Sequence, residues 1–255
     1  MKDEIIKELR RLEQELEIKV LYAVESGSRA WGFASRDSDW DVRFLYIHKL
    51  DWYLRIDQER DYYVKILDNE IDLSGWELKK ALKLFRKSNP HLLEWMRSPI
   101  VYNQHSSAID KMRDLKKLYF DPKSCFHHYL NVAVHNFEGY LADERINLKK
   151  LFYVLRTILA ADWIYEHRTT VPVEFPVLLE SQITDALISN EIISLLKRKG
   201  AGTEQDIVPK NDLLQEFLEE KIACNKARLS SLTKRVTPET APLNVLFKET
   251  LSEVW

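Results

Sequence analysis

The sequence predicts an α+β protein, with a mixed sheet and its helices in roughly the first 115 residues and an all-α part after them. Three observations carry this. β-favouring runs rich in Val, Ile, Tyr and Phe, separated by turn signals, are confined to the stretch before about residue 104. Beyond it the apolar residues recur at helical spacing in long segments. Strands followed by helices, rather than alternating with them, point to an α+β architecture with a division near residues 115 and 116.

The elements follow in order. Ile5, Leu9, Leu12 and Leu16 recur at helical spacing, so the N-terminal stretch reads as an amphipathic helix. Charges interrupt each of its apolar runs, which argues against a signal peptide. "IKVLYAVESGS" reads as a strand running into a Gly27-Ser28 turn. "DWDVRFLYIH", residues 39–48, reads as a second strand, with Asp39, Asp41 and Arg43 on one face and Trp40, Val42 and Phe44 on the other. Strands over 61–67 and 69–77 flank an Asp68-Asn69 turn. The basic helix "WELKKALKLFRKS" ends at Asn89-Pro90. A short helix "HLLEWMRS" follows, then an edge strand "PIVYN". Helical patterns then run over 104–118, 122–142, 147–168, 183–199 and 210–232, with breaks near Asp121-Pro122, 169–176 and 199–209.

The chain has 255 residues and a formal net charge of −2, so no global positive field announces a nucleic acid or an anionic membrane. An RNA partner would need a local basic patch. Cys125 and Cys224 are far apart, match no zinc spacing and suggest no disulfide framework. With no stretch apolar enough to span a bilayer, the expected location is the cytoplasm, away from membranes.

The stretch "ESGSRAWGFASRDSDWDVRF", residues 25–44, gathers acids around a Gly-Ser turn. A calcium loop of the EF-hand type would need Gly and Glu where Val42 and His48 stand, and helical flanks, so it is rejected. A solvent-exposed polar turn is one surviving reading. However, Asp39 and Asp41 share a strand face roughly 7 Å apart, and like charges on one face destabilise a sheet. The other reading is a magnesium site for nucleotide chemistry. There the two carboxylates, joined by Asp72 from "NEIDLSG", hold hard cations, and the Gly-Ser turn offers N–H groups to phosphate.

"GS", a spacer, "DWDV" and the later Asp72 resemble the signature of the DNA polymerase β nucleotidyltransferase superfamily. The fuller strings "GSRAWGFASRDSDWDVRFLY" and "DLSGWELKKALKLFRKSNPHLLEWMRSPIVY" resemble its YcgL-type, RNA-repair-associated branch. "KLFYVLRTILAADWIYE" is similar to the helical region of that branch. The resemblance implies a polymerase-β-like catalytic domain over 1–115 and a helical acceptor-binding domain over 116–255. It implies an ATP- or other NTP-dependent transferase with two Mg²⁺ ions (Mn²⁺ as a substitute). Asp39, Asp41 and Asp72 would be catalytic metal ligands, and Gly27 and Ser28 would hold the β and γ phosphates. The acceptor it implies is an RNA end, such as tRNA. Adenylylation of a protein or small molecule is an alternative, as is a non-catalytic nucleotide- or RNA-binding module. The oligomeric state is left open.

Several cations stand near this pattern. Arg29 suits a phosphate contact or a salt bridge to Asp37, which itself suits a turn cap. Arg43 suits either an acid partner or the triphosphate. Lys79, Lys83 and Arg86 share one helix face, either solvated or guiding a triphosphate or RNA backbone. Lys149, Tyr153 and Arg156 repeat at i, i+4, i+7 inside an apolar helix; either the Arg is a buried ion-pair partner or the stripe holds an acceptor phosphate or stacks on a base. His127, His128 and His135 lack metal-ligand spacing.

Overall fold

A computed structural model describes residues 1–57, 59–68, 70–141 and 145–255. The chain forms two compact units. One comprises Met1–Gly27, Asp39–Phe120 and Val236–Trp255; the other comprises Ser28–Ser38 and Asp121–Arg235. The first is built on a five-stranded sheet and the second is mainly helical, so the fold is α+β. The division differs from a single cut between 115 and 116. The main boundary falls after Phe120, residues 28–38 go with the helical unit, and the C-terminal segment goes with the sheet.

In the sheet unit, helix α1 (Lys2–Glu15) buries Ile5, Leu9 and Leu12, while Leu16 lies at its C-cap and is exposed. Strand β1 (Ile18–Glu25) leads into the five-residue helix α2 (Gly27–Trp31), where a bare turn was expected. Then come β2 (Trp40–His48), the short helix α3 (Leu50–Tyr53), β3 (Tyr62–Ile66) and β4 (Ile71–Glu77). Of the expected turn between β3 and β4, Asn69 lies outside the described residues. Trp76 and Glu77 finish β4 instead of opening the basic helix α4 (Leu78–Arg86), because Glu77 is its N-cap and accepts the Lys80 N–H. Asn89 caps α5 (Pro90–Trp95) in the same way through the Leu92 N–H. Edge strand β5 (Val101–Gln104) and α6 (Ala108–Tyr119) follow.

The sheet order is β3-β4-β2-β1-β5. β2 and β4 are parallel, and the remaining pairs are antiparallel. Period-two alternation then sorts the faces. Val42, Phe44 and Tyr46 join Ile71 and Leu73 in the core with Ile5, Leu9 and Leu12 of α1. Gly75 is required there, since a Cβ on it would lie 2.3 Å from the Phe44 ring. The other face carries Asp41, Arg43, Asp72 and Trp76, whose ring meets that of Trp95 at a tilt of 33°, centroids 4.0 Å apart.

In the helical unit, α7 (Pro122–Leu141) is followed by strand β6 (Arg145–Asn147) and by α8 (Leu148–His167). Helix α8 is apolar on all sides and buried along most of its length, the mark of a central helix. Helices α9 (Phe175–Gln182) and α10 (Ala186–Ala201), strand β7 (Ile207–Pro209) and helix α11 (Asp212–Arg228) complete the unit. β6 and β7 pair as a small antiparallel ribbon inside this otherwise helical region. Helix α9 begins at the end of the break over 169–176 and fills the stretch before the next expected helix, with Pro176 in its first turn, where proline is tolerated. Buried Asp162 ties α8 to α11 through Lys221 at 2.7 Å, Asn225 at 2.8 Å and Arg228 at 2.9 Å.

The final helix, α12 (Ala241–Val254), was not expected from the sequence and belongs to the sheet unit. Glu253 accepts from the Ser107 N–H at 2.8 Å, Lys111 pairs with Glu249 at 2.6 Å, and the rings of Phe247 and Tyr53 meet at 5.0 Å. Among the described residues, no helix is long and apolar enough to cross a membrane.

Candidate active site

The N-terminal ends of parallel β2 and β4 place Asp41 directly opposite Asp72. Two carboxylates so placed repel, and Arg43, two residues along the same face, offsets this. Its Nη2 lies 2.7 Å from Asp41 Oδ1 and 2.8 Å from Asp72 Oδ2. Its Nη1 donates to the main-chain oxygens of Asp72 at 3.0 Å and Val42 at 3.2 Å. Of the two roles open to Arg43, pairing with the acids is the one seen. One cationic nitrogen within hydrogen-bond reach of both carboxylates shows that they converge on a point suited to positive charge.

Asp41 is held by its backbone as well. Its N–H donates to Glu25 Oε1 at 3.0 Å, and its carbonyl accepts the Ser26 N–H at 2.8 Å. Glu25 is fully buried, and its Oε2 accepts the Tyr102 hydroxyl at 2.5 Å. The acid at the head of the cluster is therefore an anchor beneath the site. Sequence reasoning missed this role for Glu25 and Tyr102. The available signal was the position of Glu25 at the end of an otherwise apolar strand.

Gly27 follows, with φ +58, a left-handed conformation that favours glycine. A Cβ there would lie 1.9 Å from Asp41 Oδ2. The glycine thus lets the backbone meet the carboxylate closely. Asp39 precedes the first residue of β2 and is exposed. Among the described residues no group of three or more His, Cys, Asp or Glu side chains is gathered closely enough to hold a metal ion. The donor chemistry of the pair, two hard carboxylates converging on one point, fits a hard divalent cation.

Segment 28–38 belongs to the helical unit. Ser28 is buried, and Arg29 Nη2 donates to the Ser38 carbonyl. Asp37 Oδ1 accepts the Glu204 N–H at 2.8 Å, and the Ser38 hydroxyl donates to Glu204 Oε1 at 2.9 Å. Lys149 pairs with Glu204 Oε2. Buried Lys199 donates to Ser35 Oγ at 2.8 Å, and burial pushes its ammonium pKa down. Tyr153 meets Trp31 edge-on at 5.1 Å. Arg156, 1% exposed, lies 4.3 Å from the Trp31 ring. Lys149, Tyr153 and Arg156 therefore do not form a continuous exposed stripe; they hold segment 28–38 to its own unit. Asp37 caps Glu204 and not its own turn.

On α4, Lys79 and Lys83 are exposed, whereas Arg86 donates to the Pro238 carbonyl at 2.8 Å. Lys79 and Lys83 line a pocket of about 290 Å³ with Trp52, Tyr53 and Glu77. Burial pushes the Glu77 carboxyl pKa up, while the Tyr53 hydroxyl donates to it at 2.5 Å.

His48, stacked on Trp52 at 4.1 Å, is pushed from 6.5 to about 4 by burial and then by the charge of Arg55. Between those values the unfolded chain binds the extra proton, so this group's contribution to stability is lost as pH falls from 6.5 towards 4. Urea midpoints measured across that window should fall less steeply with acid in His48→Gln than in the native protein. Parallel slopes would remove His48 from the acid response.

The whole chain is 44% identical to the uncharacterized protein YcgL of Bacillus subtilis (strain 168), over 98% of that protein. A solved nucleotidyltransferase-like protein from Exiguobacterium sibiricum 255-15 aligns over 96% of this chain and 80% of its own, with 15% identity and a TM-score of 0.36. The family model for RlaP, the RNA repair pathway DNA polymerase beta family, matches residues 1–249. The chain therefore belongs to the RNA repair pathway DNA polymerase beta family.

Proposed function

We propose that this protein is a metal-dependent nucleotidyltransferase that moves an NMP from an NTP to the terminal hydroxyl of an RNA. The observation that carries this reading is the convergence of Asp41 and Asp72 on one cationic nitrogen beside Gly27. The family's link to RNA repair supports the choice of acceptor.

Asp39, Asp41 and Asp72 would hold two Mg²⁺ ions, or Mn²⁺ in their place; when bound, these stabilise the attacking and leaving oxygens of the displacement. The remaining work falls to the chain. The acceptor oxygen bonds to the α-phosphorus, and the bond from that phosphorus to the bridging oxygen breaks. Pyrophosphate leaves with the electron pair. The hydroxyl proton passes to Asp72. Gly27 and Ser28 receive the β and γ phosphates through the backbone N–H groups of the turn. Arg29 and Arg43 supply positive charge to the triphosphate, and Arg43 does so by exchanging its carboxylate partners for phosphate oxygens. Glu25 keeps the Asp41 backbone in place throughout. Lys79 and Lys83 offer exposed charge to the acceptor backbone.

The test is incubation of the purified protein with each α-labelled NTP, Mg²⁺ and mixed small RNAs. Label on RNA supports the proposal and names the base. Label on a protein or a small molecule from lysate would transfer the reading to those acceptors. No label on any of them would reject catalysis.

A further inference from the structure

The carboxylate-bearing face of the sheet does not stop at Asp72. Edge strand β3 continues it, because Ile66 is paired with Asp72, Val64 with Ser74 and Tyr62 with Trp76. Paired residues of an antiparallel ladder share a face and lie about 5 Å apart. Asp72 is therefore flanked by Asp41 on one side and Ile66 on the other. The three β3 residues on this face are apolar or aromatic and open to solvent: Ile66 is 76% exposed, Val64 52% and Tyr62 39%. Edge strands in soluble proteins are usually blunted by charge; the charge within β3, Lys65, alternates to the opposite face and pairs with Glu8, and on this face cations stand beyond the Tyr62 end. The Arg60 guanidinium lies 4.2 Å from the Tyr62 ring centre, and Lys80 Nζ lies 4.6 Å from it while pairing with Asp61.

We infer that this ledge is the docking surface for the unpaired 3′ end of the acceptor RNA. The inference rests on the nucleotidyl-transfer reading, in which Asp72 takes the proton of the attacking hydroxyl. β3 adjoins Asp72 on the side opposite Asp41, so the strand that carries the hydroxyl has room to run on over β3. A nucleic-acid strand matches the order of chemistry along the ledge. Flat apolar base faces lie on Ile66, Val64 and Tyr62, and phosphates run on to Arg60 and Lys80. The ledge is about 13 Å long, room for roughly two to four nucleotides. A base-paired end cannot use it, because its base faces are already stacked within the duplex. The acceptor is therefore an RNA with a short single-stranded 3′ tail. The other candidate occupant, an extended peptide pairing with the open edge of β3, would be held by the main-chain groups of that edge and would make no use of the cations beyond Tyr62.

The test uses the full-length protein with Mg²⁺ and a hairpin RNA carrying an unpaired 3′ tail that ends in 4-thiouridine. The same hairpin with a blunt end serves for comparison. Irradiation should cross-link the tail within residues 60–66, and the tailed hairpin should be the better acceptor. The exposed double substitution Ile66→Ser/Val64→Ser should weaken binding of the tail, and raise its KM, about ten-fold or more. The KM for NTP should not change. Ile66→Phe should bind at least as tightly as the native protein. Cross-links elsewhere, equal use of the blunt hairpin, or unchanged tail affinity in the double variant would each overturn the ledge while leaving nucleotidyl transfer standing. So would label found only on a protein, lost in the double variant, which points to the peptide. If no label moves at all, transfer itself fails, and the cross-link still decides whether β3 holds RNA.

Discussion

Asp41→Asn is expected to lower nucleotide transfer by at least about a thousand-fold, because it removes one of two carboxylates that must hold positive charge against a reacting phosphate. The substitution is isosteric, and Arg43 keeps its bonds to Asp72, so the thermal midpoint should stay near that of the native protein. A second readout is independent of turnover. Mn²⁺ binding in the presence of a non-hydrolysable NTP analogue, followed by paramagnetic resonance, should weaken in step with activity. Undiminished transfer by the purified variant would remove Asp41 from the reaction.

Gly27→Ala should impair both stability and catalysis. A side chain at φ +58 costs about 1–2 kcal/mol in backbone strain alone. Its Cβ, built 1.9 Å from Asp41 Oδ2, must also push that carboxylate aside. Misplacement of a reacting group by about 1 Å costs on the order of a hundred-fold in rate. Activity at a temperature where the variant is fully folded separates the two effects. Gly139→Ala is the matched control, since a Cβ there meets nothing within 4 Å and the position lies in helix α7. It should gain about 0.5–1 kcal/mol. A Gly27→Ala protein with native activity would show that Asp41 has room the geometry denies it.

Much of this site was legible from residue order. The alternation through Asp41, Val42, Arg43 and Phe44 gave the strand and its two faces. The acid in "NEIDLSG" pointed to a neighbouring strand, and the structure pairs it with Asp41. Glu25 was harder to read. Grouped by sequence with the other acids, it turns inward to hold a backbone N–H, and only the position of β5 reveals its Tyr102 partner. Asp37 and Lys149 were opaque for a similar reason, since both answer to Glu204, far along the chain. Strands β6 and β7, three residues each, are too short to show a period. Helix α12 carries a weak signal of its own, Pro242 in its first turn and Leu243 and Leu246 spaced for one face.

The return of residues 236–255 to the sheet unit has a consequence for biosynthesis. A domain contiguous in sequence can fold as soon as it leaves the ribosome. Here the first unit to be started is the last to be finished, since α12 emerges only after the whole helical unit has been made. Until then Leu243 and Leu246 have not reached the sheet unit and the surface they bury against stays wet. The helical unit in turn waits on nothing after Arg235, because its own early strand of chain, 28–38, is already in hand. The order of completion is therefore the reverse of the order of synthesis: the helical unit has its whole chain once Arg235 has emerged, and the sheet unit only once α12 has.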